Sequence, residues 1–102
     1  MSRAIPPNLP STARQLSALG ERLRLARKRR RITSVLMAEQ VGITRTTLGR
    51  VERGDATVSL GIYLRVLRVL GLEADIDLVA ANDELGRKLQ DLAMEPAGRG
   101  KR

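Results

Sequence analysis

Residues 32–54 read ITSVLMAEQVGITRTTLGRVERG, and they carry the strongest structural signals of the chain. Thr33 suits the N-cap of a short helix, because its hydroxyl can accept a hydrogen bond from a free backbone N–H of the next turn. Gly42 supplies the positive φ that ends a helix and begins a tight turn. Thr44 suits the cap of a second short helix, and Gly54 is placed to end it. The stretch therefore predicts a helix, a turn and a second helix.

The apolar residues of this stretch agree with that prediction. Met37, Ala38 and Val41 form one face of the first helix, and the small Ala38 side chain allows another helix to approach closely. Leu48 and Val51 form the inward face of the second helix. These local preferences all favour one structure, the helix-turn-helix, which places its second helix in the major groove of DNA.

Residues that match a family pattern in type and spacing extend over residues 20–72. They are Gly20, Leu23, Arg24, Arg27, Ile32, Thr33, Met37, Ala38, Val41, Gly42, Ile43, Leu48, Val51, Glu52, Gly54, Ser59, Leu60, Leu67, Leu70 and Gly71. Through these residues the chain resembles the XRE (Cro/C1-type) helix-turn-helix family. The resemblance implies a mainly α-helical, lambda-repressor-like DNA-binding domain, which we expect over residues 13–72.

Length and composition limit the alternatives. A chain of 102 residues predicts one domain, and 42% apolar residues with one Tyr and no Phe or Trp predict a small aliphatic core. Because the chain has no cysteine, nothing in it indicates disulfides or an oxidising compartment. No apolar run is long enough to span a membrane, and the N-terminus lacks an uninterrupted signal-peptide core. We therefore expect a cytoplasmic protein with no membrane partner.

Enzymatic and cofactor chemistry is not expected. The chain has no His and no Cys, so it lacks the common metal ligands, the acid–base imidazole and the thiol nucleophile. Five of its eleven acidic residues lie in residues 73–84, and it has no Gly-rich phosphate loop. This acidic segment is interpreted as a solvated strand face, with nucleic-acid mimicry or a basic partner as alternatives. We expect no catalytic residue, no metal site and no cofactor.

The net charge of +8 is unevenly distributed. Residues 14–53 contain eleven basic and three acidic residues, whereas residues 54–102 contain seven basic and eight acidic residues. The positive half is the half that carries the helix-turn-helix. A basic surface there would attract phosphate and make binding depend on salt.

The N-terminal segment is predicted to be a flexible arm over residues 1–12, because three of its residues are proline. Ser11 or Thr12 can cap helix 1, and Gly20 is a candidate break within it. The helix ends in a basic run, which is Lys28, Arg29, Arg30 and Arg31. These cations can complement the helix dipole or contact a phosphate backbone, and the sequence does not separate the two interpretations.

A fourth helix is predicted from the N-cap Ser59 to Leu70, with Gly71 as its stop. Its apolar residues form two stripes, and one helix in so small a domain is not expected to bury both. The surplus stripe is therefore expected to form a dimer contact, and its residues are Ile62, Val66 and Val69.

The apolar period changes after this helix. Ala74, Ile76 and Leu78 alternate with acidic residues, which predicts a half-buried strand. No second strand is visible, so the simplest partner is the same strand of another copy, giving an intermolecular two-stranded ribbon with these residues in the dimer interface. Residues 73–93 would then form a dimerisation strand and a short final helix, and residues 94–102 a disordered basic tail.

This order of helix-turn-helix and strand, with LEADIDLVA at residues 72–80, resembles HipB-type antitoxins. In that family the strand pairs across the dimer, and the protein represses its own operon and holds a HipA-type kinase toxin. The resemblance implies an autoregulating antitoxin that binds a palindromic operator in double-stranded DNA as a homodimer. A stand-alone XRE-family (phage-type) repressor and a HigA-type antitoxin without a HipA-type partner are the alternatives.

The XRE resemblance also implies which residues read base edges. They are Arg45, Thr46, Thr47 and Arg50, with Gly49 on the same exposed side. Arg can bind guanine O6 and N7 through two hydrogen bonds, and Thr can bond a base edge or pack its methyl group on thymine. For the two arginines the alternatives are a phosphate contact or simple solvation. Gly49 stands where a side chain is usual, which permits close backbone approach or weakens the helix by about 1 kcal/mol.

Phosphate contacts are expected from Thr33, Ser34, Thr44 and Arg53, together with the basic run of helix 1.

The resemblance further implies a structural ion pair between Arg27 and Glu52, which would link helix 1 to the recognition helix.

Overall fold

The computed structural model of the protein describes residues 9–94, which form helices connected by short loops. The first four are α1 (Pro10–Arg29), α2 (Ser34–Val41), α3 (Arg45–Glu52) and α4 (Leu60–Leu70). A 3-10 helix over Glu73–Leu78 and the helix α5 over Glu84–Met94 follow. The predicted mainly helical architecture is confirmed. None of the helices in this part of the chain is long and apolar enough to cross a membrane.

The ends of α2 and α3 are formed as the local sequence predicts. The Thr33 hydroxyl accepts a hydrogen bond from the Leu36 N–H at 3.2 Å, and the Thr44 hydroxyl accepts one from the Thr47 N–H at 3.0 Å. Gly42 ends α2 with φ at 82°, a left-handed conformation that costs glycine little. The helix-turn-helix is therefore confirmed at the predicted residues.

The core lies where α1, α2, α3 and α4 meet. Its buried side chains are Leu23, Ala26, Met37, Ala38, Val41, Leu48, Val51, Val58, Tyr63, Val66 and Leu70. The core is aliphatic apart from Tyr63, whose hydroxyl donates to the Asp55 carbonyl oxygen at 2.8 Å. This bond satisfies a polar atom that burial would otherwise leave unpaired, and the same burial raises the pKa of Tyr63.

α1 begins earlier than predicted. Pro10 is its first residue, where the missing N–H costs no intrahelical bond and the fixed φ suits the helix. Neither Ser11 nor Thr12 caps it, because both lie inside the first turn. Met94 likewise ends α5 and does not belong to the predicted tail. The rest of the predicted arm and tail lies outside the described residues, at 1–8 and 95–102.

α1 continues through Gly20 without the predicted break, because this glycine serves packing. A Cβ at Gly20 would lie 2.5 Å from the backbone nitrogen of Gly54 and 2.7 Å from the carbonyl oxygen of Glu52. Gly54 itself has φ at 73° and leaves no space for a side chain against the backbone of Leu16. Two glycines thus bring α1 and the end of α3 into backbone contact.

The predicted C-terminal strand is wrong: residues 73–78 form a 3-10 helix, and no strand occurs within residues 9–94. The backbone bonds are local, from the Asp75 N–H to the Leu72 carbonyl at 3.0 Å and from the Val79 N–H to the Ile76 carbonyl at 3.1 Å. Leu72, Ile76 and Val79 are four and three residues apart, so a helical turn points all three toward α1 and α4.

The intermolecular ribbon built on Ala74, Ile76 and Leu78 is therefore not formed by this segment. The alternation spans only six residues, and so short a pattern does not distinguish a strand from one turn of helix. Ile76 is half-buried against the rest of its own chain, whereas Ala74 and Leu78 are exposed.

The predicted dimer stripe on α4 also needs correction. Val66 is only 1% exposed and lies in the core of its own chain, so it is not available to a second copy. Ile62 and Val69 are half-buried and pack against the same core. α4 buries more of its apolar surface than predicted because α1, α2 and the 3-10 helix all pack against it.

Candidate nucleic-acid interface

The outward face of α3 is the centre of the candidate interface. Arg45 and Thr46 are exposed on its first turn, and Gly49 lies one turn further along. A shallow, open depression of about 440 Å³ runs between this face and the start of α2, where Ser34 lines it. The helix-turn-helix thus presents backbone and polar side chains from α2 and α3 on one surface.

Thr47 is less free than the residue before it. Its side chain is half-buried, and its hydroxyl accepts a hydrogen bond from the Thr44 hydroxyl at 3.0 Å. The Thr47 hydroxyl keeps its own proton to donate. The first turn of α3 therefore offers Thr46 fully to solvent and Thr47 only in part.

Arg50 is held in a network with two residues that follow α3. Its Nε donates to Oδ2 of Asp55 at 2.9 Å, and its Nη2 donates to the Thr57 hydroxyl at 2.6 Å. The Thr57 hydroxyl and N–H both donate to Oδ1 of Asp55, at 2.7 and 2.8 Å. These two bonds from Thr57, and then Arg50, hold the pKa of the Asp55 carboxyl well below its ordinary value. The guanidinium is consequently anchored at one edge.

The orientation of α3 is set by Arg27 of α1. Its Nε and Nη2 donate to the two carboxylate oxygens of Glu52 at 2.7 and 3.0 Å, and its Nη1 donates to the Ile32 carbonyl at 2.9 Å. Both side chains of the pair are about one-tenth exposed. The hydrogen bonds that the Glu52 carboxylate accepts from the Arg27 guanidinium raise the pKa of Arg27. One guanidinium thus joins α1, the loop before α2 and the last turn of α3.

The comparison with protein families matches residues 18–81 to a helix-turn-helix domain. The chain belongs to the XRE (Cro/C1-type) helix-turn-helix family. A search of curated proteins found no significant match. The domain makes this XRE-family protein a DNA-binding regulator.

Apart from the basic run, the predicted phosphate contacts of the XRE-family protein lie at the starts of α2 and α3 and at the end of α3. Thr33 and Ser34 begin α2, Thr44 precedes α3, and Arg53 follows α3 with its side chain exposed. Thr33 and Thr44 use their hydroxyls as helix caps, so each acts in the fold as well. The Thr33 hydroxyl proton remains available to a phosphate oxygen, whereas the Thr44 hydroxyl donates its proton to the Thr47 hydroxyl.

The basic run of the XRE-family protein lies at the C-terminal end of α1. Lys28, Arg29, Arg30 and Arg31 are all exposed. Arg30 donates from Nη1 to the Ala26 carbonyl at 2.8 Å, which satisfies one of the free carbonyl groups at the helix end. Arg31 has φ at 57°, which turns the chain out of α1. Of the two interpretations of the basic run, the structure therefore shows for Arg30 the interaction with the C-terminal end of the helix.

Sequence reasoning missed several residues that support the interface of the XRE-family protein. Arg65 of α4 donates from Nη2 to the carbonyl oxygens of Val41 and Gly42, at 2.7 and 3.2 Å. This contact joins the turn between α2 and α3 to α4. It links residues 24 positions apart, and no local sequence pattern predicts such a contact. Asp55 and Thr57, by contrast, form a local Asp-x-Thr turn that sequence reasoning had the means to find.

Proposed function

We propose that this protein is a sequence-specific transcriptional repressor that binds a palindromic operator in double-stranded DNA as a homodimer. The observation that carries the proposal is the exposed face of α3, held by the Arg27–Glu52 pair, in the basic half of the chain. A dimer would present two such helices to half-sites about one helical turn apart. A role at DNA would also place the protein in the cytoplasm.

Base recognition is proposed for Arg45, Thr46, Thr47 and Arg50, with Gly49 allowing the backbone to approach the bases. Arg45 is exposed and can bind one guanine through two hydrogen bonds, a contact worth about 1–3 kcal/mol of discrimination. Arg50 is anchored through its Nε hydrogen and one Nη2 hydrogen. Its Nη1 group and second Nη2 hydrogen therefore remain available to donate to a base. An anchored arginine loses less side-chain entropy on binding, which favours a direct contact over simple solvation.

Phosphate binding is proposed for the residues around that face, namely Thr33, Ser34, Thr44, Arg53, Lys28, Arg29, Arg30 and Arg31. These contacts would fix the register of the protein on DNA without reading its sequence. Removal of one cationic contact is expected to weaken binding to all sequences alike and to reduce the salt dependence by about one ion.

Equilibrium binding tests the repressor proposal. The protein is titrated with the DNA upstream of its own gene, with a scrambled duplex and with a random-sequence pool at physiological salt. We expect a preference above roughly a thousandfold for the upstream DNA, largely lost in Arg45→Ala. Arg68→Ala is the matched control, because it removes one exposed positive charge from α4 and leaves α3 intact. Equal, weak and steeply salt-dependent binding, with no enrichment from the pool, would overturn the proposal.

An antitoxin role is the second candidate. The HipB resemblance depended on a strand in the segment that forms the 3-10 helix, so it now has less support. In its favour, Val35 and Leu36 on α2 are 55% and 42% exposed, an unusual cost unless another protein covers them. We infer a HipA-type kinase toxin as the partner to test first. If the protein does not bind the product of a neighbouring kinase-like gene, or no such gene adjoins it, a repressor or HigA-type antitoxin remains.

A further inference from the structure

An apolar groove opens between α1, α4 and the 3-10 helix. Its volume is about 560 Å³. Its apolar walls include Leu19 and Leu23 of α1, Leu60 and Leu67 of α4, Ile76 of the 3-10 helix and Val79 directly after that helix. Leu60 and Val79 are 64% and 68% exposed, so the groove presents apolar surface to solvent. Such a surface is stabilised when another apolar surface covers it.

α5 has an unpartnered apolar stripe of matching character. Leu85, Leu89 and Leu92 recur at intervals of four and three residues, so they share one face of the helix. Their side chains are 68%, 57% and 70% exposed, and no residue of α5 is buried. A helix of 11 residues is marginal in water when isolated, and it gains stability mainly by burying an apolar face. α5 is therefore expected to dock on another surface.

The charges beside the two apolar surfaces are complementary. Arg22 and Arg29 of α1 line the groove, seven residues apart, and together with Asp75 of the 3-10 helix they give its lining a net charge of +1. Glu84 and Asp91 lie beside the leucine stripe of α5, also seven residues apart. Seven residues span about 10.5 Å of helix, so both acids can meet both arginines at once. Lys88 lies between the two acids, and that edge of α5 keeps a net charge of −1.

We propose that the groove is occupied by α5 of a second copy of this chain, and that the two copies exchange their α5 helices. Val79 is part of the groove wall, yet no residue of α5, which starts five residues later, lines the groove of its own chain. The four linking residues reach at most about 14 Å, which brings α5 to a neighbour whose groove lies beside this one.

This proposal deepens the homodimer in the proposed function and rests on that part of it alone. It replaces the predicted ribbon and α4 stripe with a named surface and a named segment. The interface would be reciprocal, with the same groove and the same helix used by both copies, as two-fold symmetry requires.

Reversing the charges beside the groove and on α5 by substitution tests the proposal. Arg22→Glu/Arg29→Glu reverses the groove, and Glu84→Arg/Asp91→Arg reverses α5. All four positions are exposed. Each variant alone should dissociate at least about tenfold more readily than the wild type at low salt, because every groove meets a like-charged helix. Mixed in equal amounts, the two variants should form a one-to-one dimer, since both of its grooves then meet an opposite charge. Sedimentation and native mass spectrometry measure both effects.

Three outcomes would overturn the proposal. The wild type would be monomeric at tens of micromolar, or the groove variant would dimerise as well as the wild type, or the mixture would not form the mixed dimer. Circular dichroism verifies that each variant is folded, and Gln90→Arg, which adds a positive charge on the far face of α5, should dimerise normally. Because the readout is mass and not DNA binding, failure of the charge reversal alone leaves the repressor proposal standing, whereas a monomeric wild type would also contradict its homodimer.

Discussion

Arg27 and Glu52 form a two-bond ion pair, with Nε···Oε2 at 2.7 Å and Nη2···Oε1 at 3.0 Å, that joins α1 to the last turn of the recognition helix. The same guanidinium also binds the Ile32 carbonyl. A two-bond geometry restricts rotation as well as separation, so the pair sets the angle at which α3 leaves the core. Stability and DNA recognition are therefore linked through one side chain.

Arg27→Ala should destabilise the protein by about 3 kcal/mol, since it leaves a poorly solvated Glu52 carboxylate without its partner. Glu52→Gln should cost less, because the amide oxygen can still accept one of the two bonds. Denaturant unfolding followed by circular dichroism measures both values. A midpoint for Arg27→Ala equal to that of the wild type would show that the pair contributes nothing to stability.

Gly20→Ala should destabilise the protein by about 1–3 kcal/mol, because the new methyl group would strike backbone atoms that cannot move aside. Gly61→Ala is the matched control. It also lies in a helix, but its Cβ would meet only the Ser59 hydroxyl at 3.8 Å, so it should gain about 0.5–1 kcal/mol. Thermal unfolding of the two variants should therefore move in opposite directions. A shift in the same direction for both would contradict the close approach of α1 and α3.

The Gly49→Ala variant distinguishes an effect on stability from an effect on DNA binding. The new Cβ would lie 3.2 Å from Nη1 of Arg53, the mobile end of a flexible side chain, so the helix should gain up to about 1 kcal/mol. If the backbone of Gly49 approaches DNA closely, operator affinity should fall despite this gain. Unfolding and operator binding are measured on the same sample. Unchanged or tighter binding would remove Gly49 from the base-reading set.

The network around Asp55 predicts a pH dependence. Its pKa is lowered in the folded protein, so its contribution to stability is complete above the ordinary value of 3.8 and is lost as the pH falls through the lower folded value. The difference in unfolding free energy between the wild type and Asp55→Asn should thus be constant above about pH 5 and shrink on acidification below it. A difference that grows toward low pH would refute the assigned contacts with Thr57 and Arg50.

Much of the helix-turn-helix was predictable because its signals are local. Thr33 and Thr44 each cap the helix that follows within three residues, and Gly42 adopts its positive φ in place. These features depend on the backbone and the next turn only. The Arg27–Glu52 contact came instead from the family resemblance, since nothing local links two residues 25 positions apart.

The C-terminal half was harder to predict because its patterns have more than one solution. Ala74, Ile76 and Leu78 alternate as in a strand, yet the groove beside α1 and α4 favours the turn that points Ile76 inward with its helical neighbours. Only the tertiary structure shows whether this segment adopts the strand period or the helical period.

The helix-turn-helix, its caps and the concentration of positive charge around it could be predicted from the sequence alone, because they depend on residue type and short spacing. The burial of Val66, the close approach at Gly20, the anchoring of Arg50 and the exposure of α5 depend instead on the tertiary structure. Each of these depends on which distant surfaces meet. That is settled by the packing of whole helices, and no short window of sequence contains it.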